Sequence, residues 1–195
     1  MTQQHNPDIG DCLSEGWTLY KRDAALLSGA TLLMAVICGV VSLIPLLGSL
    51  IYPPLLAGLY SMIIRLDRGE TVTITNLFDG FQRLLPLIIA SFLISLFVAI
   101  GLILFVIPGL YLLTIYGFTT LFIVDQNQDF WPAMESSRKI IHGHFWHYSL
   151  LALLLGIICV IASLPLGLGL LIAAPVCLAA QYHYYRAVTS TATTY

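Results

Sequence analysis

Charge is what this sequence has least of. Of 195 residues, 8 are Lys or Arg and 10 are Asp or Glu, 9% in all, where soluble domains carry roughly 25%. With 58% hydrophobic residues and a mean hydropathy of +0.91, the chain has too little polar surface to cover a water-soluble domain. The scarcity of Lys and Arg excludes nucleic acid as a partner, because no basic cluster of the needed size is present. The four cysteines, Cys12, Cys38, Cys159 and Cys177, show no CxxC spacing. Three of them lie in apolar stretches, which reads as small buried apolar side chains rather than a disulfide or zinc framework. The polar N-terminus, Met1 to Asp11, lacks the basic region and short apolar core of a signal peptide. No cleavage is expected, and the whole chain is read as the mature protein. G-x-S-x-G, H-E-x-x-H and phosphate-loop motifs are missing, so no catalytic activity, metal or cofactor is expected.

What the chain has is six apolar stretches: Ala24–Leu43, Ser49–Ile64, Leu84–Phe105, Pro108–Val124, Tyr148–Leu164 and Gly167–Tyr185. Every charged residue lies outside them. About 20 apolar residues suffice to cross a bilayer as a helix; the second stretch is short and contains Pro53-Pro54. In hydrocarbon only helices and closed barrels satisfy their own backbone groups, and the period-2 alternation of a barrel is missing. The fold class expected is therefore all-α, a single integral membrane domain over residues 1–195 with six transmembrane helices.

The basic residues alternate between ends of the stretches. Lys21 and Arg22 precede the first, Arg65 and Arg68 follow the second, Arg83 precedes the third, Arg138 and Lys139 precede the fifth, and Arg186 follows the sixth. By the positive-inside rule this puts both termini on the cytoplasmic side of the cytoplasmic membrane. Trp17 and Tyr20 beside Lys21, and Tyr182, Tyr184 and Tyr185 beside Arg186, read as interfacial aromatics. The uncharged connections turn at Ile44-Pro45-Leu46-Leu47-Gly48, Ile107-Pro108-Gly109 and Leu164-Pro165-Leu166-Gly167. Pro suits the first turn of an outgoing helix, and Gly permits a tight reversal.

Self-comparison resolves three units, approximately 11–68, 74–126 and 130–188. Leu13-Ser14-Glu15-Gly16-Trp17 aligns with Leu77-Phe78-Asp79-Gly80-Phe81 and more weakly with Ala133-Met134-Glu135-Ser136-Ser137. From each acid to the hairpin proline is 30, 29 and 30 residues. Each unit reads as a short amphipathic helix in the headgroup plane followed by a Pro/Gly-turned helical hairpin. Ile74, Leu77, Phe78 and Phe81 fall on one helical face, and Asn76 resembles the start of that helix, with Asp79 in its first turn.

Two sets of residues are candidates for function. The matched acids Glu15, Asp79 and Glu135 either converge on a cation or basic partner, or stabilise helix N-termini and pair with Arg22, Arg83 or Lys139. Pro54, Gly117 and Pro175 lie 39, 38 and 40 residues past those acids, in the second arm of each hairpin. Interruptions at corresponding positions of repeats point to a ligand site in transporters, although Pro and Gly are also ordinary in membrane helices. With Tyr60, Tyr116 and Gln181 nearby in sequence, these form the candidate ligand-binding set. No charge lies inside a span, which argues against a coupled ion pump. Two other patterns fail. His144 and His147 have the i, i+3 spacing of a metal pair but no local carboxylate or thiolate to complete it, and beside Trp146 and Tyr148 they read as interfacial. Asp125-Gln126-Asn127-Gln128-Asp129 opens like a calcium loop but has Phe130 where Gly is needed and Ser136 where Glu is needed.

Gly16-Trp17 with Lys21-Arg22, Ile44-Pro45, Pro54…Gly58, Asp67-Arg68-Gly69-Glu70, Leu77-Phe78-Asp79-Gly80-Phe81, Ile107-Pro108-Gly109 and Ala133…Ser136-Ser137 together resemble a widespread group of bacterial integral membrane proteins of unknown function. That group is similar to the membrane domain preceding the catalytic domain in some glycerophosphodiester phosphodiesterases. The resemblance covers roughly Leu13 to Arg186 and implies a stand-alone multi-pass protein. It carries over no phosphodiesterase activity, because the catalytic domain is missing from this sequence. The function expected is non-enzymatic binding or transport of a lipid or other apolar or amphiphilic ligand. The alternative is a structural, membrane-organising or accessory protein that docks a partner. The partners implied are the bilayer, such a ligand, and a membrane-protein partner or second copy of the chain.

Overall fold

A computed structural model describes residues 8–41, 45–164 and 167–192, without the side chains of 45–49, 106 and 191–192. Among the described residues it is all-helical: α1 (Ile9–Arg22), α2 (Ala24–Val41), α3 (Pro45–Asp67), a 3₁₀ helix (Ile74–Arg83), α4 (Leu84–Leu104), α5 (Val106–Ile115), α6 (Thr119–Asp125), α7 (Phe130–Gly143), α8 (Phe145–Ser163) and α9 (Leu170–Ala192). Among the described residues four segments are long and apolar enough to cross a membrane: Ala24–Val41, Ile74–Leu104, Ile107–Asp125 and Phe145–Ser163. α3 and α9 are each 23 residues long; the first contains Pro53 and Pro54, the second Pro175.

Local chemistry sets the boundaries. Asp8 caps α1 by accepting the Gly10 N–H at 2.9 Å, and Asp23 Oδ1 accepts the Leu26 N–H at 3.2 Å where α2 begins. The N-cap of the 3₁₀ helix is Thr73 rather than Asn76. Asn76 occupies the third helical position and its Oδ1 accepts the Thr73 N–H at 2.9 Å, the reciprocal half of a capping box. Asp79 therefore falls outside the first turn. At the second reversal the chain breaks at Phe105, which is extended (φ −160°, ψ 146°), and Pro108 and Gly109 lie in the first turn of α5. Gly109 serves close packing there rather than the reversal itself: a Cβ on Gly101 would sit 2.9 Å from the Gly109 Cα. Of the reversals expected at Ile44-Pro45-Leu46-Leu47-Gly48 and Leu164-Pro165-Leu166-Gly167, Ile44, Pro165 and Leu166 lie outside the described residues, and Pro45 opens α3. Gly167 has φ +78°, the left-handed region that favours glycine.

Burial separates the long helices into inner and outer sets. In α3 nearly every side chain from Leu55 to Ile64 is buried, and so are Phe118 to Ile123 around α6 and most of Cys177 to Tyr185 in α9. In α2, α4 and α8 few residues are buried, most of them in the first half of the helix: Leu27, Ala30, Thr31 and Met34; Leu87 and Ala90, with Gly101 near the far end of α4; Tyr148, Leu151 and Leu155. Elsewhere they expose large apolar side chains such as Val40, Phe92, Ile103 and Ile161, an arrangement suited to hydrocarbon rather than water. Tyr182, Tyr184 and Tyr185, expected at an interface, are instead core residues at 4%, 0% and 1% exposure. α9 packs against α1, α2, α8 and α3, and the Phe118 ring is 5.6 Å from that of Tyr185. Trp17, Trp131 and Trp146 remain exposed.

The short amphipathic elements clamp the inner helices. α1 lies on α9, where a Cβ on Gly16 would be 2.8 Å from the Ala180 nitrogen. The 3₁₀ helix lies on α3, where a Cβ on Gly58 would be 1.8 Å from the Leu77 carbonyl and one on Gly80 1.9 Å from that of Pro54. α7 meets the break between α5 and α6: Ser137 Oγ accepts the Phe118 N–H at 3.1 Å and donates to the Ile115 carbonyl at 2.7 Å. Glycine at these approaches is a steric requirement, because backbone lies on the other side.

Candidate functional site

α5 ends at Ile115 and α6 begins at Thr119, so the fourth apolar stretch is two helices rather than one. Gly117 lies in the gap, with its N–H donating to the Thr114 carbonyl at 3.0 Å. The break leaves the Gly117 carbonyl without a helical partner, and a side chain from another helix supplies one. Gln181 Nε2 of α9 donates to it at 3.0 Å and to Tyr148 Oη of α8 at 2.8 Å. Tyr60 Oη of α3 donates to Gln181 Oε1 at 2.8 Å. The Gly117 carbonyl determines the amide orientation, since only the NH₂ end can face it. Gly117 also leaves room for the tyrosine: a Cβ there would be 2.3 Å from Tyr148 Oη. Tyr60 and Tyr148 are 3% and 4% exposed. The result is a neutral buried network joining α3, α8, α9 and the α5–α6 break.

Gln181 is also where this network meets an open cleft of about 430 Å³. α2 contributes Thr31, Met34 and Cys38, α3 Tyr52 and Leu56, α8 Gly156 and Cys159, and α9 Ala174, Cys177 and Leu178. The lining is predominantly apolar. A volume of this size falls in the range of small-molecule sites.

A second cavity, about 550 Å³, lies among the charged ends of α1, α3 and α9. His183 Nδ1 is 3.0 Å from Glu15 Oε2, and Arg186 pairs with Asp67 across it. Nearby, Arg68 pairs with Asp125 at 2.6 Å, Arg65 with Asp79 at 3.1 Å, and Arg83 donates to Asn127. Tyr182 and Tyr185 donate to Asp67 and Asp125 at 3.1 and 3.2 Å. Opposite charges thus close the bundle from helix to helix.

Of the candidate ligand set, Tyr60, Gly117 and Gln181 come together. Tyr116 points elsewhere, its ring 6.4 Å from Phe97. Pro54 is buried beneath Gly80, and Pro175 is buried in α9. The three acids do not meet. Glu15 faces His183 rather than Arg22, Asp79 pairs with Arg65 rather than Arg83, and Glu135 holds Arg138 at 2.8 Å and Lys139 at 3.4 Å. Hydrogen bonding from Arg138 brings the Glu135 carboxyl down to about 2. His142 Nδ1 meets Tyr111 Oη at 2.9 Å and His144 Nδ1 meets the Ile140 carbonyl at 3.2 Å. Among the described residues no group of three or more His, Cys, Asp or Glu side chains could hold a metal ion. Within the polar turn, Asn127 takes the left-handed conformation (φ 54°), which Asn tolerates.

Tyr148 and Ser137 are the residues holding the α5–α6 break that sequence reasoning missed. Tyr148 reads as an interfacial aromatic beside Trp146, and nothing in its neighbours signals a partner 33 residues away. Ser137 reads only as part of a weak repeat match. Three buried polar atoms have no hydrogen-bond partner among the described residues, Thr119 Oγ1, Tyr184 Oη and His183 Nε2.

Comparison with protein-family models, with characterised proteins and with solved structures gave no match.

Proposed function

We propose that this chain is a multi-pass protein of the cytoplasmic membrane that binds a lipid chain or another apolar or amphiphilic ligand, without chemistry, in the cleft between α2, α3, α8 and α9. The cleft itself is the observation that carries this reading: about 430 Å³, predominantly apolar, with the Thr31 and Tyr52 hydroxyls and one amide, Gln181, among its lining residues. An acyl chain fills such a space by dispersion and hydrophobic contact. Gln181 Oε1, which among the described residues accepts from Tyr60 alone, retains a lone pair for a hydroxyl or amide of the ligand. Phenols and an amide, without a charged acid or base beside them, suit holding better than catalysis.

In this reading α2, α3, α4, α5–α6, α8 and α9 are six spans in three hairpins, with both termini cytoplasmic. The threefold repeat is supported by the order of elements, because α1, the 3₁₀ helix and α7 each precede a pair of long apolar segments. It is supported also by the clamps: Gly16 and Gly80, equivalent in the repeat, each meet backbone on an inner helix. The resemblance to bacterial membrane proteins of unknown function agrees with a membrane role.

Saturable binding of a fluorescent acyl-chain probe to the full chain in lipid nanodiscs is the test. Wild type should bind, and Gly156→Trp or Ala174→Trp, which fill the cleft, should lose at least tenfold in affinity. Leu153→Trp on the outward face of α8 should bind as wild type does; Leu153 is 62% exposed. Equal binding by all four proteins would remove the cleft as the ligand site.

A further inference from the structure

Two of the four cysteines meet in the wall of the cleft. Cys159 of α8 and Cys177 of α9 lie 18 residues apart in the chain, on the two arms of the third hairpin, and their Sγ atoms are 3.7 Å apart. Both are free thiols, and both line the cleft. This is non-bonded contact; a disulfide requires about 2.05 Å. The sulfurs must close about 1.6 Å, a displacement within reach of side-chain rotation on two helices already packed together. The cleft supplies access, since an apolar reagent small enough to enter it reaches both sulfurs. Charged thiol reagents meet an uncharged wall.

We propose that Cys159 and Cys177 form a reversible disulfide, a modification site in the cleft wall, and that a membrane quinone is the class of oxidant that makes it. Two S–H bonds break and one S–S bond forms. The two protons and two electrons pass to the quinone, which leaves as the quinol, and a dithiol reductant reverses the step. The bond staples α8 to α9. Its consequence for the ligand rests on the binding function proposed above: with the staple closed these two helices cannot part, so ligand leaves the cleft more slowly. Formation of the bond does not depend on that function.

The test uses the full chain in nanodiscs, carrying Cys12→Ala and Cys38→Ala so that only this pair remains. Decylubiquinone is added, the protein is denatured, and free thiols are alkylated and counted by intact mass. The expected product has lost the mass of two hydrogens, takes up no alkyl group, and yields a peptide cross-linked between positions 159 and 177. Dithiothreitol restores two alkylation sites, and Cys159→Ser gives neither the mass loss nor the cross-link. Two alkylated thiols after quinone treatment would overturn the proposal, and so would a quinone adduct in place of the mass loss. In a second arm the acyl-chain probe should dissociate at least threefold more slowly from the oxidised protein than from the reduced one. Equal rates would overturn the regulatory step. If the probe binds neither form, the binding function fails, while the mass measurement still decides the disulfide.

Discussion

Replacing Gly117 by alanine tests whether the helix break and the buried tyrosine are one device. The new Cβ would lie 2.3 Å from Tyr148 Oη and 3.0 Å from two ring carbons, where ordinary contact begins near 3.4 Å. The hydroxyl must retreat by about 1 Å, which would stretch its 2.8 Å bond from Gln181 beyond hydrogen-bonding distance. The ring has little room for this, with Phe118 at 4.6 Å and Tyr184 at 5.6 Å between centroids. Overpacking costs about 1–3 kcal/mol, and a lost hydrogen bond adds about 0.5–1.5 kcal/mol. Membrane proteins fall toward the low end of the latter range. A destabilisation of roughly 2–4 kcal/mol is expected for Gly117→Ala. Tyr148→Phe removes the clashing oxygen and costs only the hydrogen bond, so the double variant should be more stable than the two single losses predict, by about 1 kcal/mol or more. Reversible unfolding by sodium dodecyl sulfate in mixed micelles reads all four proteins. Strict additivity would refute the reasoning, because it would mean that alanine at 117 and the Tyr148 hydroxyl do not meet.

Gly58→Ala should be worse than Gly117→Ala, because its Cβ meets the Leu77 backbone carbonyl at 1.8 Å and no flexible side chain can yield; release of the 3₁₀ helix would show as new protease cleavage between residues 69 and 83. Ser137→Ala leaves the buried Phe118 N–H and Ile115 carbonyl without that hydroxyl and should cost about 1–3 kcal/mol in the same unfolding assay. Burial, with Glu15 and Asp11 nearby, pushes the Cys12 thiol up to about 11, so it should resist maleimide at pH 7.5 until the protein is unfolded. Since the unfolded thiol ionises near pH 9, the folded state loses this contribution as pH rises from about 9 to 11, and Cys12→Ala should flatten that alkaline decline. On a cysteine-free background, Phe105→Cys should react with an impermeant thiol reagent in intact cells and Gln128→Cys only after permeabilisation; the reverse pattern would invert the proposed topology.

The distribution of residues along the chain determined the architecture class. Uncharged apolar runs, several of them long enough to cross a membrane as helices, suit a membrane protein. The amphipathic segments around Trp17 and Phe78 were legible for the same reason: spacing along one helix is a local property. Proximity across helices is not. The union of Tyr60, Gly117, Tyr148 and Gln181 spans 121 residues; the sequence offered Tyr116 and Pro175 on equal terms with Tyr60, Gly117 and Gln181, and did not offer Tyr148. Tertiary structure decided between them, because a helix break exposes a carbonyl in one direction only, and only Gln181 lies in that direction. The same geometry sent Tyr182, Tyr184 and Tyr185 into the core instead of an interfacial belt, and it turned Glu15 to His183 and Asp79 to Arg65, while Glu135 kept its neighbours Arg138 and Lys139 on the same helix. A pattern along the chain states what a residue can do; the packing of α3, α9 and the α5–α6 break determines which residues have a partner with which to do it.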